Sequence, residues 1–85
     1  MKPYVLRFTK EAQKDIAKLT PKLQEKLKAI LLNGIAVDPR GGKKLVGDLQ
    51  GLYSIRFTYQ DRIVYSVDHK ARIVTVHRTR THYGD

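Results

Sequence analysis

The spacing of apolar positions changes period twice along this chain, and each change marks an element. Residues 4–8, YVLRF, form a short β-rich run that reads as a strand. From residue 10 the period lengthens. Ala12, Ile16 and Leu19 fall on one helical face, while Lys10, Lys14 and Lys18 step along another at i, i+4 spacing. Thr9 is placed to cap this helix over residues 10–19. Thr20 followed by Pro21 starts a second one, with a capping hydroxyl and then proline at the first helical position. Leu23, Leu27, Ile30 and Leu31 carry it to about Asn33, where Gly34 suits its end. Two helices joined this tightly form an antiparallel hairpin.

Residues 35–51 break the pattern with Asp38-Pro39, Gly41-Gly42, Gly47 and Gly51, and read as loop. Strict alternation then sets in. Tyr53, Ile55 and Phe57 alternate with Ser54, Arg56 and Thr58. Beyond a turn near Gln60-Asp61, Ile63, Tyr65 and Val67 alternate with Arg62, Val64 and Ser66. A second turn at residues 68–71 leads to a last strand over 72–78. The expected fold class is α+β in the order β-α-α-β-β-β, a single domain over residues 1–85. Its helical hairpin packs on one face of a small, mostly antiparallel sheet. The other face would receive Ser54, Arg56, Arg62 and Ser66 as a basic, uncovered platform. Beyond Val76 the parity of the last strand is ambiguous, because a bulge would switch it.

Charge adds a direction. Seventeen Lys and Arg against eight Asp and Glu give a net +9, and a small domain with that balance repels itself unless an anion is near. Nucleic acid is the first candidate, an acidic protein the second. Cysteine is absent, which excludes thiol nucleophiles and cysteine-bound zinc and accords with a reducing cytoplasm. No stretch is apolar and long enough to span a bilayer, and the N-terminus lacks a signal-peptide run.

The candidate chemistry gathers near the C-terminus, where RTRTHYGD closes the chain. The stretch YSIRFTYQDRIVYSV, a short turn, a final strand and the closing His-Tyr resemble the RelE/ParE toxin superfamily, above all its YoeB (Txe) branch of mRNA interferases. The resemblance spans nearly the whole chain. It implies the toxin of a type II toxin–antitoxin pair, a metal-independent endoribonuclease with no cofactor that cuts mRNA in the ribosomal A site and inhibits translation. Its partners would be a cognate antitoxin, acidic and partly disordered when free, together with mRNA and the ribosome, and a homodimer is compatible with it.

By the same resemblance, Arg62 is similar to the catalytic arginine, His82 to the general acid and Tyr83 to the terminal aromatic that positions substrate. Arg56 corresponds to a basic strand residue common in the family, and Arg78 and Arg80 approach the site from the last strand, Arg80 being the better placed for a phosphate contact; all three are expected to bind RNA rather than perform chemistry. The YoeB branch carries a glutamate as general base where Lys43 stands here, so either a lysine takes that role, as in RelE-like relatives, or His82 has a different one. Lys43 and Lys44 read more simply as contacts to the RNA backbone. Two alternatives belong to other classes: a ParE-like inhibitor of DNA gyrase, which needs no terminal His-Tyr, and a basic RNA- or ribosome-binding module without catalysis. Gly41-Gly42-Lys43-Lys44 lacks the spacing of a phosphate loop, and His69, His77 and His82 lack the spacing of a zinc site.

Overall fold

The computed structural model describes residues 3–45 and 51–81, with side chains through Thr79 in the last strand. Strand β1 (Val5–Phe8) leads into helix α1 (Lys10–Ala17) and helix α2 (Pro21–Ile30). After a short crossing segment come β2 (Lys43–Lys44), β3 (Leu52–Arg56), β4 (Arg62–Asp68) and β5 (Ile73–Thr81). The strands make one sheet in the order β1-β5-β4-β3-β2, antiparallel throughout except for the parallel pairing of β1 with β5.

Both helices start as their capping residues dictate. Thr9 and Thr20 hold extended backbone, and their hydroxyls accept the N–H groups of Ala12 and Leu23 respectively. The end of α2 differs from expectation. Gly34 adopts no left-handed cap; the chain passes through a wide turn, Leu31–Ile35, in which the Ala36 N–H donates to Leu31 O at 2.8 Å. The extra residue in that turn brings both Ile35 and Ala36 into the core.

The core lies between the helices and one sheet face. Ala12, Leu27, Leu31 and Ile35 meet Phe57, Ile63, Tyr65, Val74 and Val76 there, all buried. Each large aliphatic or aromatic side chain so buried contributes about 1.5–3 kcal/mol, which is how a chain this short holds a single fold.

Three features of the sheet depart from the sequence reading. Lys43 and Lys44 form an edge strand inside the segment read as loop, too short and too charged to show alternation. Lysines on an edge strand also discourage pairing with another chain. Strand β5 runs to Thr81, beyond the expected end at residue 78. The face away from the helices is not an open platform, because Ser54 is 3% and Val64 1% exposed at its middle. Both sit in interior strands, in register with each other and with Lys43 and Arg78 on the flanking strands. The basic groups of that face occupy its ends.

Candidate functional site

A tight turn sets the arginines. Thr58 Oγ1 accepts the N–H groups of Gln60 at 3.3 Å and Asp61 at 3.0 Å, while Asp61 O accepts those of Phe57 and Thr58. With residues 57–61 closed in this way, Arg56 at the end of β3 stands directly opposite Arg62 at the start of β4. Like charges in register repel, and neither guanidinium has a carboxylate partner among the described residues. Arg56 is exposed and Arg62 half-buried.

On its other side Arg62 pairs with Thr81, the last described residue of β5. Two register shifts make this possible. Tyr65 pairs with Val76 but Val64 with Arg78, and Arg62 then pairs with Thr81. Each step gives β5 one residue more than β4, which is the signature of a bulge. The ambiguous parity of the last strand therefore has its cause at His77 and again between Arg78 and Thr81. The result is one transverse row, Arg56–Arg62–Thr81.

The two lysines of β2 part company. Lys43 pairs with Ser54 and so shares the face of Arg56 and Arg62, whereas Lys44 pairs with Tyr53 on the opposite face. Two strands across and two residues along, the Lys43 backbone lies about 12 Å from that of Arg62. A flexible lysine and an arginine reach a common phosphodiester over that span.

Strand β2 is fixed from below. Tyr65 is buried, stacks on Tyr53 at 5.5 Å between ring centroids, and donates its hydroxyl to Pro39 O at 2.8 Å. Burial pushes its pKa up to about 12, outweighing a backbone hydrogen bond with Gly42 that favours the phenolate, so this hydroxyl is a structural strut rather than an acid. Gly42 allows the approach: a Cβ there would collide with the Tyr65 hydroxyl and press on Ser54 O at 3.1 Å. The RIVYSV stretch thus splits between two tasks, with Arg62 on the charged face and Ile63 and Tyr65 in the core.

Arg78 is paired within the fold. Its Nε donates to Asp15 Oδ2 at 2.9 Å and its second guanidinium nitrogen to Oδ1 at 3.3 Å, a two-pronged pair with helix α1. Arg80 belongs to β5, its side chain lying outside the described residues, as do His82 and Tyr83 altogether. Sequence reasoning missed Asp15. The signal was available: an acid one residue from Ile16 and three from Ala12, on the apolar side of a lysine-rich helix. It also missed His77, whose Nε2 lies 2.8 Å from Ser66 Oγ and whose pKa burial lowers from 6.5.

The sequence and the fold match known proteins. A family model described as the ParE-like toxin of the type II bacterial toxin–antitoxin system matches residues 6–83. The chain belongs to this family. Toxin RelG of Mycobacterium tuberculosis is 33% identical over 78 residues, covering 89% of this chain and 87% of RelG. A chain of the RelBE2 toxin–antitoxin complex from the same organism superposes with a TM-score of 0.85 at 30% identity, covering 100% of this chain and 97% of that one. The YoeB/ParE toxin from Agrobacterium tumefaciens gives 0.81 at 27% identity, over 93% and 99%. This ParE-like chain is therefore a type II toxin of the RelE/ParE superfamily, whose relatives include YoeB, as the RIVYSV stretch and closing His-Tyr led one to expect. Among its described residues no helix is long and apolar enough to cross a membrane.

Proposed function

We propose that this toxin is an endoribonuclease that cuts mRNA on the ribosome. The observation that carries the reading is the Arg56–Arg62–Thr81 row. Two guanidiniums held in register without acid partners among the described residues cost stability, and an anion between them turns that cost into binding. The phosphodiester of RNA fits, since each arginine offers a planar fork to its oxygens.

In this reading the ribose 2′-oxygen attacks the adjacent phosphorus and the bond to the 5′-oxygen breaks, leaving a cyclic phosphate. A base takes the 2′-hydroxyl proton, and an acid supplies one to the departing 5′-oxygen. Arg62 steadies the phosphorane charge. His82, the residue after Thr81 in the sequence, is the acid, and Tyr83 positions the substrate. Arg56, Lys43 and Arg80 hold the RNA backbone. Lys44, on the opposite face, adds charge at the sheet edge, and Arg78 shares its guanidinium with Asp15. Lys43, on the charged face where the related branch has a glutamate, is the candidate base.

The partner is a cognate antitoxin. RelBE complexes from Mycobacterium tuberculosis and Escherichia coli and the YoeB–YefM complex from Staphylococcus aureus are among the similar structures. An acidic segment suits a chain of net charge +9. The site of action is the cytoplasm, where ribosomes are.

The testing experiment is cell-free translation of a defined messenger with purified toxin, mapping new 5′ ends by primer extension. Cuts at A-site codons that vanish in Arg62→Ala and His82→Ala support the assignment; cuts that persist in both remove it. A second reading, inhibition of DNA gyrase, is favoured by the ParE-like description of the family model. Loss of supercoiling by gyrase on adding the toxin, with messenger left whole, would replace the first reading with this one.

A further inference from the structure

Only the first part of β5 is supported on both edges. Residues 73–76 lie between β1 and β4. At Thr9 the flanking chain turns away into α1, after its N–H has donated to Val76 O and its hydroxyl to His77 O. From Arg78 onward the edge facing β1 has no strand beside it among the described residues, and the ladder to β4 on the other edge is interrupted by both register shifts. A strand end held by one irregular ladder frays.

Asp15 stands where the missing strand would be. One carboxylate oxygen accepts the backbone N–H of Thr79 at 3.1 Å and Arg78 Nε at 2.9 Å, and the other accepts the Arg78 guanidinium at 3.3 Å. The residue is only 8% exposed. Charge-assisted hydrogen bonds to a buried carboxylate are strong and directional, so helix α1 grips β5 two residues before Thr81 meets Arg62. The grip has an energetic counterpart: Thr79 is fully buried and its Oγ1 has no hydrogen-bond partner among the described residues.

We infer that Asp15 is a positioning residue of the toxin: it fixes residues 78–81 so that Thr81 meets Arg62 in the geometry RNA cleavage requires. This inference rests on the nuclease reading above. Asp15 touches no substrate; it acts through Thr79, Arg78 and the strand that carries them.

The test uses full-length toxin, with Asp15→Ala removing the grip and Asp15→Asn keeping an oxygen for the Thr79 N–H while losing the charge. Two readouts are taken on each. Amide hydrogen exchange should quicken at Thr79 and Thr81 in Asp15→Ala, with Ile63 and Val67 in β4 unchanged. Cleavage in cell-free translation should lose about 100-fold in kcat with KM nearly constant, as a displacement near 1 Å produces, and Asp15→Asn should recover part of it. Unchanged exchange in Asp15→Ala overturns the grip. Faster exchange with undiminished kcat overturns the positioning role, and so does a loss confined to KM. Should Asp15→Ala not fold, Asp15→Leu, which fills the space without an acceptor for the Thr79 N–H, takes its place with the same readouts, and native exchange or full kcat in it overturns the proposal. Wild-type toxin that makes no cuts fails at the nuclease reading instead, a result visible before any variant is compared, and the positioning role falls with it.

Discussion

Arg56 and Arg62 face each other across the β3–β4 hairpin as registered partners, with no carboxylate paired to either among the described residues. Elsewhere the chain does neutralise an arginine in this way, at Arg78 with Asp15. The difference separates a strut from a site. A structural arginine is paired when its protein folds; a phosphate-binding one waits for its anion.

That contrast gives the first prediction. Removing one of two registered like charges should stabilise the fold by about 0.2–1 kcal/mol. In the proposed reaction Arg62 faces the phosphorane, and losing its guanidinium should then lower cleavage by a factor of about 100 or more. Arg62→Ala should therefore be more resistant to urea and far less active. A variant that loses both stability and activity would mark Arg62 as a structural residue.

The second prediction concerns the floor under Lys43. Tyr65→Phe leaves Pro39 O without its hydroxyl donor, which should cost about 1–3 kcal/mol. Gly42→Ala should also destabilise, because its Cβ meets the Tyr65 hydroxyl. The two effects share one atom, so they should not add. In a double-mutant cycle by urea unfolding, the pair should cost less than the sum of the singles by about 0.5 kcal/mol or more. Strict additivity would mean that the Gly42 contact is not made through that hydroxyl.

The third follows from Thr79. Its hydroxyl is buried without a partner among the described residues, and valine has nearly the same shape without the polar atom. Thr79→Val should raise stability by about 1–3 kcal/mol, the desolvation penalty of an unmet hydroxyl. Equal or lower stability by thermal unfolding would show that the hydroxyl is satisfied in solution.

How much of this was legible beforehand depended on whether a feature was local. The capping threonines, the Thr20-Pro21 start and the alternation of Tyr53, Ile55 and Phe57 are written in neighbouring residues, and helices and hairpins follow from them. The facing of Arg56 by Arg62 was half legible, since parity put both on one face while the turn at Thr58 fixed their register. The bulges at β5 were not legible. They depend on how nine residues of β5 are laid against seven of β4, a contest between strands that neither sequence records. Asp15 was illegible for the same reason: its partners Arg78 and Thr79 are 63 and 64 residues away. The edge strand at Lys43 and Lys44 was hidden because two exposed lysines carry no hydrophobic period. His82 and Tyr83, the residues on which the resemblance leaned most, lie outside the described residues.

His77 makes the last prediction. It sits at the first register shift, with its Nε2 beside Ser66 Oγ, and burial lowers its pKa from 6.5. The folded protein thus favours the neutral ring more than the unfolded chain does. As pH falls through 6.5 the unfolded chain takes up a proton that the folded one still refuses, and stability drops until the folded ring protonates in turn. Above 6.5 both states are neutral and this contribution is fully present. Urea unfolding should therefore show stability declining from about pH 7 towards pH 5. In His77→Gln, whose amide keeps a hydrogen-bonding group near Ser66 but does not titrate there, the slope in that window should be smaller. Subtracting the two curves removes what other groups contribute in common. Identical slopes in wild type and variant would mean that His77 is as well hydrated as in the unfolded chain, and that the bulge is not closed around it.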